Sequence, residues 1–174
     1  MSRLLLVLSA AFIAWPAHGH DKAAAKPVRV MSYNIRNDMP GDGNNRWDNR
    51  RDAVLFAIRT YDPDLLGMQK VLAAQGDDLQ KGLPGYGFAG NGRDDGKRGG
   101  EFNPVMFKKD RFELLASGQY WLSPTPEKPG SKGWDSGQVR IMMWAKLKQK
   151  DTGASFLFVN THWDPKGKNS RVES

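Results

Sequence analysis

Residues 28–35 read Val-Arg-Val-Met-Ser-Tyr-Asn-Ile, and residues 65–69 read Leu-Leu-Gly-Met-Gln. The first run is rich in β-formers and reads as a buried strand. The second is a shorter strand that begins just after Asp62-Pro63-Asp64. Between them, Asp48 or Asn49 can cap a helix running through Tyr61, with Ala53, Val54, Ala57, Ile58 and Tyr61 on one face. A Gly/Asn/Asp-rich loop over 37–45 precedes that helix, and residues 73–82 suggest a shorter helix ending near Gly82. Beyond Pro84-Gly85 the pattern turns to strands at 104–108, 112–122, 140–148 and 155–163, separated by loops at 90–100 and 123–137. A helix start is read at 170–174. Strand, helix, strand and then several strands predict one α/β (α+β) domain, a sandwich of two sheets with helices on the outer faces.

The composition agrees with a globular chain. The sequence has 174 residues, 39% of them hydrophobic, with six tryptophans and eight phenylalanines. No cysteine is present, which excludes a disulfide scaffold, a thiolate metal site and a cysteine nucleophile. Lys and Arg outnumber Asp and Glu by 26 to 19, a net charge of +7 that favours acidic partners such as phosphates. The start is an address. Met1-Ser2-Arg3, the apolar run 4–13 and Ala17-His18-Gly19 predict a signal peptide over 1–19, cleaved before His20. Residues 20–27 form a loose lead-in, the domain occupies 28–174, and the product is expected to be exported, periplasmic or secreted.

The chemistry-bearing side chains fall at strand ends. Asn34 ends the first strand, Lys70 follows the second, and Asn160-Thr161-His162-Trp163-Asp164 closes the last. Polar groups gathered above a packed sheet are a common way to build a site. Each alone also has an ordinary structural role. Asn34 can cap a turn, His162 can be a satisfied core histidine, Asp164-Pro165 is a good turn starter, and Glu101 can be a solvated charge. The loop 90–100 offers glycines for close approach to a phosphate and the cations Arg93, Lys97 and Arg98, offset by Asp94 and Asp95. A periplasmic sugar-binding sandwich would instead use Trp121, Trp134 and Trp163 as stacking platforms.

Taken in order, the motifs are more specific. Met31-Ser32-Tyr33-Asn34-Ile35-Arg36, Arg46-Trp47-Asp48-Asn49-Arg50-Arg51 and 62–69, then Gly92-Arg93-Asp94-Asp95-Gly96, Gly100-Glu101-Phe102 and Phe158-Val159-Asn160-Thr161-His162 resemble the endonuclease/exonuclease/phosphatase (DNase I-like) superfamily. The likeness is to secreted bacterial members. It implies a four-layer α/β sandwich and metal-dependent phosphoester hydrolysis, usually with Mg²⁺. By resemblance, Asn34 stands beside the metal and phosphate, His162 contacts the scissile phosphate or assists proton transfer, Glu101 orients that histidine, and Arg140 faces the phosphate. Asp164 takes a site role by the same likeness. The implied partner is a phosphorylated substrate: nucleic acid, lipid head group, inositol phosphate or another sugar phosphate.

The sequence departs from that pattern after Gln69, where the family has a metal-binding glutamate and this chain has Lys70. An ammonium offers a cation no lone pair and repels it. The family's later motifs, a Gly-Asp strand end and a final Asp-His pair, do not occur in these residues, so the domain reads as one whose second half is missing. Three readings follow: a phosphoesterase impaired at its metal site, a non-catalytic phosphate-ester-binding module, or a non-functional gene fragment.

Overall fold

A computed structural model of the chain describes residues 26–174. The expected signal peptide and most of the lead-in lie outside the described residues. In chain order the elements are β1 (Val30–Asn34), α1 (Trp47–Tyr61), β2 (Leu65–Gln69), α2 (Ala73–Gly82), β3 (Tyr86–Ala89), β4 (Val105–Lys108), β5 (Phe112–Trp121), β6 (Ile141–Gln149), β7 (Ser155–Thr161) and α3 (Lys168–Glu173).

β1, β2, β4 and β3 form one sheet in that order, and β5, β6 and β7 form a second. β1 and β2 run parallel, with Asn34 opposite Gln69, because α1 carries the chain back across the sheet between them. All other pairings are antiparallel. β2 is buried along its whole length, which explains its apolar run. Its Leu66 and Met68 pack under the helices with Val54, Leu55, Ile58 and Leu79. Leu65 faces the other way, toward Val105, Phe107, Phe112, Met143 and Leu147 between the sheets. Helices, first sheet and second sheet make three layers among the described residues. On the outer face of the second sheet, Leu157 and Val159 of β7 are 63% and 50% exposed, and the end of α3 lies beside Tyr120 and Met142.

Asn160 ties the sheets together. Its amide nitrogen donates to the carbonyls of Met68 (2.7 Å), Asn103 (3.0 Å) and Pro104 (3.0 Å), and its oxygen accepts from Gln69 Nε2 (2.8 Å). Gly67 permits this approach, since a Cβ there would lie 2.8 Å from Asn160 Oδ1.

Three local expectations are corrected. Neither Asp48 nor Asn49 caps α1. The helix starts at Trp47, whose N–H is accepted by Asp38 Oδ1 at 2.9 Å, a partner nine residues upstream that spacing rules do not search. The buried face is Trp47, Val54, Leu55 and Ile58, while Tyr61 is 68% exposed, because the helix leans toward α2 and sets Leu55 against Gly82. β3 was unforeseen: four residues containing a glycine carry almost no periodic signal. Gly87 is required there, since a Cβ would overlap the Phe107 ring.

Candidate functional site

The C-terminal ends of β1, β2 and β7 lie together at one end of the sandwich, held by the Gln69–Asn160 bond. Both parallel strands leave the sheet through non-glycine residues in the left-handed region, Arg36 at φ 57° and Lys70 at φ 59°. Such backbone is disfavoured for side chains with a Cβ and persists where surrounding structure imposes it. Here it does. Arg50 donates to the carbonyls of Ile35, Arg36 and Asn37, and Gln75 Nε2 donates to Arg36 O at 3.0 Å. Val71 and Phe102 exchange backbone hydrogen bonds at 3.3 and 2.7 Å, fixing the chain just after Lys70.

Above these ends is a cavity of about 380 Å³. Lys70 and His162 line it from the strand ends, Arg93 and Glu101 from the Gly-rich loop, and Gln138 and Arg140 from the segment before β6; Asn37 and Pro165 complete the rim. Glu101 is buried and accepts from Arg93 Nη1 at 2.6 Å and Asn37 Nδ2 at 3.1 Å. Its expected partner was the histidine, and the structure gives it the guanidinium instead. Arg93 also donates to Gln138 Oε1 at 3.3 Å.

His162 is half-buried, with Nδ1 3.3 Å from Arg140 Nη1. A guanidinium only donates, so the network assigns Nδ1 as acceptor and places the ring proton on Nε2. Burial lowers the His162 pKa below its ordinary value. Arg140 lowers it further, Glu101 opposes, and Lys70 and Arg93 add to the lowering. The ring is therefore neutral at pH 7 and offers a donor to the cavity.

Arg140 is itself buried and held from behind by Asp164, whose Oδ2 lies 3.3 Å from both Nε and Nη2. Asp164 also accepts from Ser136 Oγ, from the N–H of Gly137, and from Lys166 and Gly167 at 3.0 and 2.8 Å. Backbone bonds from Gly167 and Lys166, the largest influences, hold its carboxyl well below the usual carboxylate range. Asp164 thus builds a turn and positions Arg140, and it does not line the cavity. Asn34 is not in the lining either. Its Oδ1 accepts the Arg36 N–H at 3.1 Å, the turn-capping role open to it from sequence.

Of the three cations in the 90–100 loop, one reaches the site. Arg93 lines it, whereas Arg98 pairs with Asp77 of α2 at 2.7 Å, and Lys97 sits beside Arg98 in a separate depression. Trp121 is buried and donates through Nε1 to Arg93 O, so it anchors this loop and is no stacking platform. Asn37, Arg93 as the partner of Glu101, and Gln138 were not singled out in the sequence. Arg93 itself lies in the Gly92–Gly96 motif, whereas the only signal for Asn37 and Gln138 was their nearness to Arg36 and Arg140.

A magnesium ion seeks carboxylate oxygens and water. The donor set at these strand ends does not fit one. Glu101 is engaged by Arg93, Asn34 Oδ1 by its own turn, and Lys70 brings a positive charge. Among the described residues, no group of three or more His, Cys, Asp or Glu side chains could hold a metal.

A two-sheet α/β sandwich with Asn37, Arg93, Arg140 and His162 lining one cavity at its strand ends defines a class of fold with an anion-complementary site. Comparison with known proteins narrows the class. The chain is 46% identical to the solved endonuclease/exonuclease/phosphatase protein of Bacteroides vulgatus (TM-score 0.82), over 84% of this chain and 56% of that one. It is 41% identical to the mannosyl-6-phosphatase of Bacteroides thetaiotaomicron (TM-score 0.80), over 84% of this chain and 55% of that one. Among curated proteins, the Ccr4 exoribonuclease subunit of the CCR4-Not complex of Emericella nidulans is 23% identical over 184 residues, 87% of this chain and 27% of that protein. No family model matches the chain. In fold and sequence it is similar to these endonuclease/exonuclease/phosphatase proteins, of whose solved chains it spans a little over half the length.

Proposed function

We propose that the chain handles phosphorylated substrates as a phosphoester hydrolase of this family, with metal-dependent turnover impaired by Lys70. The observation that carries the reading is the cavity itself, where Arg140, Arg93 and a neutral His162 converge within a space of about 380 Å³. Guanidinium groups and an imidazole N–H complement the charge of a phosphoryl group. The Asp164 bonds hold Arg140 in place before substrate arrives, which lowers the entropic cost of binding.

A sugar monophosphate is the favoured substrate. A cavity of this size holds a phosphate and one ring, and among the named relatives the sugar phosphatase is far more similar than the exoribonuclease. We further propose that residues 1–19 direct export and are removed before His20. N-terminal sequencing of the exported chain tests this, and retention of the leader overturns it.

Turnover of mannose 6-phosphate and of p-nitrophenyl phosphate, in magnesium and in EDTA, tests the activity. The expected result is weak turnover in the native chain and an increase of about tenfold or more, magnesium-dependent, in Lys70→Glu. A native chain with full, chelator-sensitive turnover overturns the impairment. Absence of both turnover and phosphate-ester binding in every variant overturns the substrate class.

A further inference from the structure

The charges around the cavity are not equally satisfied. Arg93 is matched by Glu101 at 2.6 Å, and Arg140 by Asp164 at 3.3 Å. Lys70 is matched by nothing: its ammonium makes no hydrogen bond or ion pair with any described residue, although it lines the same cavity. Its stem is nevertheless aimed. Gln69 O accepts from Ile35 N at 3.2 Å on one side, and Val71 is bonded to Phe102 on the other, so the residue is clamped in its left-handed conformation.

The hydrogen-bonding inventory of the cavity is also one-sided. Lys70 offers three donors and His162 offers Nε2–H, and Arg93 Nε is a buried donor with no hydrogen-bond partner, 3.6 Å from Asp94 Oδ1. The one carboxylate present, Glu101, already accepts from two partners. A set of donors around an uncompensated ammonium selects an acceptor-rich anion, and it repels a divalent cation.

We propose that Lys70 stands in for the cation: the cavity binds the phosphoryl group of a phosphate monoester between Lys70 Nζ, Arg140 and His162 with no metal ion. This rests on the phosphoester reading above and adds to it that recognition is metal-independent. The ammonium neutralises one negative charge of the dianion where an ion would otherwise neutralise two.

Thermal melting and titration calorimetry of the full chain with inorganic phosphate, at fixed ionic strength, decide the matter. The expected result is the same stabilisation in EDTA as in magnesium, since a ligand that binds only the folded state raises its melting temperature. Lys70→Gln should weaken phosphate binding by about tenfold or more, and Lys70→Glu should abolish binding in EDTA. Arg98→Ala, which removes an exposed and already paired cation of the 90–100 loop, should bind as the native chain does. Phosphate binding that requires magnesium overturns the inference while leaving the phosphoester site standing, and so does native-like binding by Lys70→Gln. No response to phosphate with or without magnesium overturns both. The comparison of EDTA with magnesium needs no variant, so it decides even if a substitution impairs folding.

Discussion

The two ends of the sandwich carry similar residues and do opposite things with them. At the end away from the cavity, Asp64 is buried among Arg111 (2.6 Å), Lys108 (3.2 Å) and the N–H of Arg29 (2.8 Å), and Lys108 also reaches Asp62 at 2.7 Å. Each of those two side-chain cations has a carboxylate. Tyr86 closes this end by donating to Pro63 O, and burial, then Asp62 and Asp64, push its hydroxyl pKa up to about 12. At the cavity end, Lys70 remains without a partner. Counting charges would rank the two ends alike. Pairing separates them, because a compensated network holds the fold and an uncompensated cation at a fixed position is available to a ligand.

Substitutions at the two ends should therefore diverge, and the largest effect is expected at the paired end. Asp64→Asn leaves Arg111 and Lys108 facing a neutral amide in a buried place and should destabilise the fold by about 3–5 kcal/mol in urea unfolding. Burial alone would raise the Asp64 pKa, but the Arg29 N–H, Arg111 and Lys108 outweigh it and hold the carboxyl below its ordinary value. Stability from this group is therefore complete above the unfolded carboxylate pKa of about 3.9 and is lost as pH falls through the lower folded value. The native chain should lose stability in that acidic window, and Asp64→Asn should show a flatter acid limb. A loss below about 1 kcal/mol would place Asp64 among ordinary surface pairs and erase the contrast.

Asp164→Asn comes next. It keeps the shape of the side chain but weakens its bonds to the Gly167 and Lys166 N–H groups and to Arg140, so roughly 2 kcal/mol should be lost. Because Arg140 loses its backing, phosphate affinity should fall as well, which calorimetry reads separately from stability. Smaller still is the titration of His162. Its folded pKa lies below the unfolded value of about 6.5, so the folded chain binds fewer protons, and stability declines as pH drops from 6.5 toward the folded value. His162→Gln should remove that slope in melting experiments between pH 7 and 5. The least effect belongs to Lys70→Gln and Arg98→Ala, each within about 0.5 kcal/mol of the native stability, since neither breaks a buried pair. Loss of phosphate binding in Lys70→Gln without loss of stability would set the two ends apart most clearly.

Much of this was legible from the residues. The alternating and continuous apolar runs gave the strands at 30–34, 65–69 and 141–149 to within two or three residues, because periodicity reports burial directly. The ordered motifs gave the family resemblance, and the lysine at position 70 was visible without coordinates. The strand at 86–89 was not, since its pairing with β4 rather than its own composition makes it a strand.

Sequence by itself determined which side chains stand at the strand ends and that a positive charge follows Gln69. Only the tertiary structure decided who pairs with whom. Glu101 meets Arg93 and Asn37, Asp164 backs Arg140, Asn160 joins the two sheets, and Lys70 is left over. The physical reason is range. Local propensity and periodicity act over a few residues along the chain. Hydrogen bonds and ion pairs are set by distances of about 3 Å between groups dozens of residues apart, which exist only once the sheets have packed.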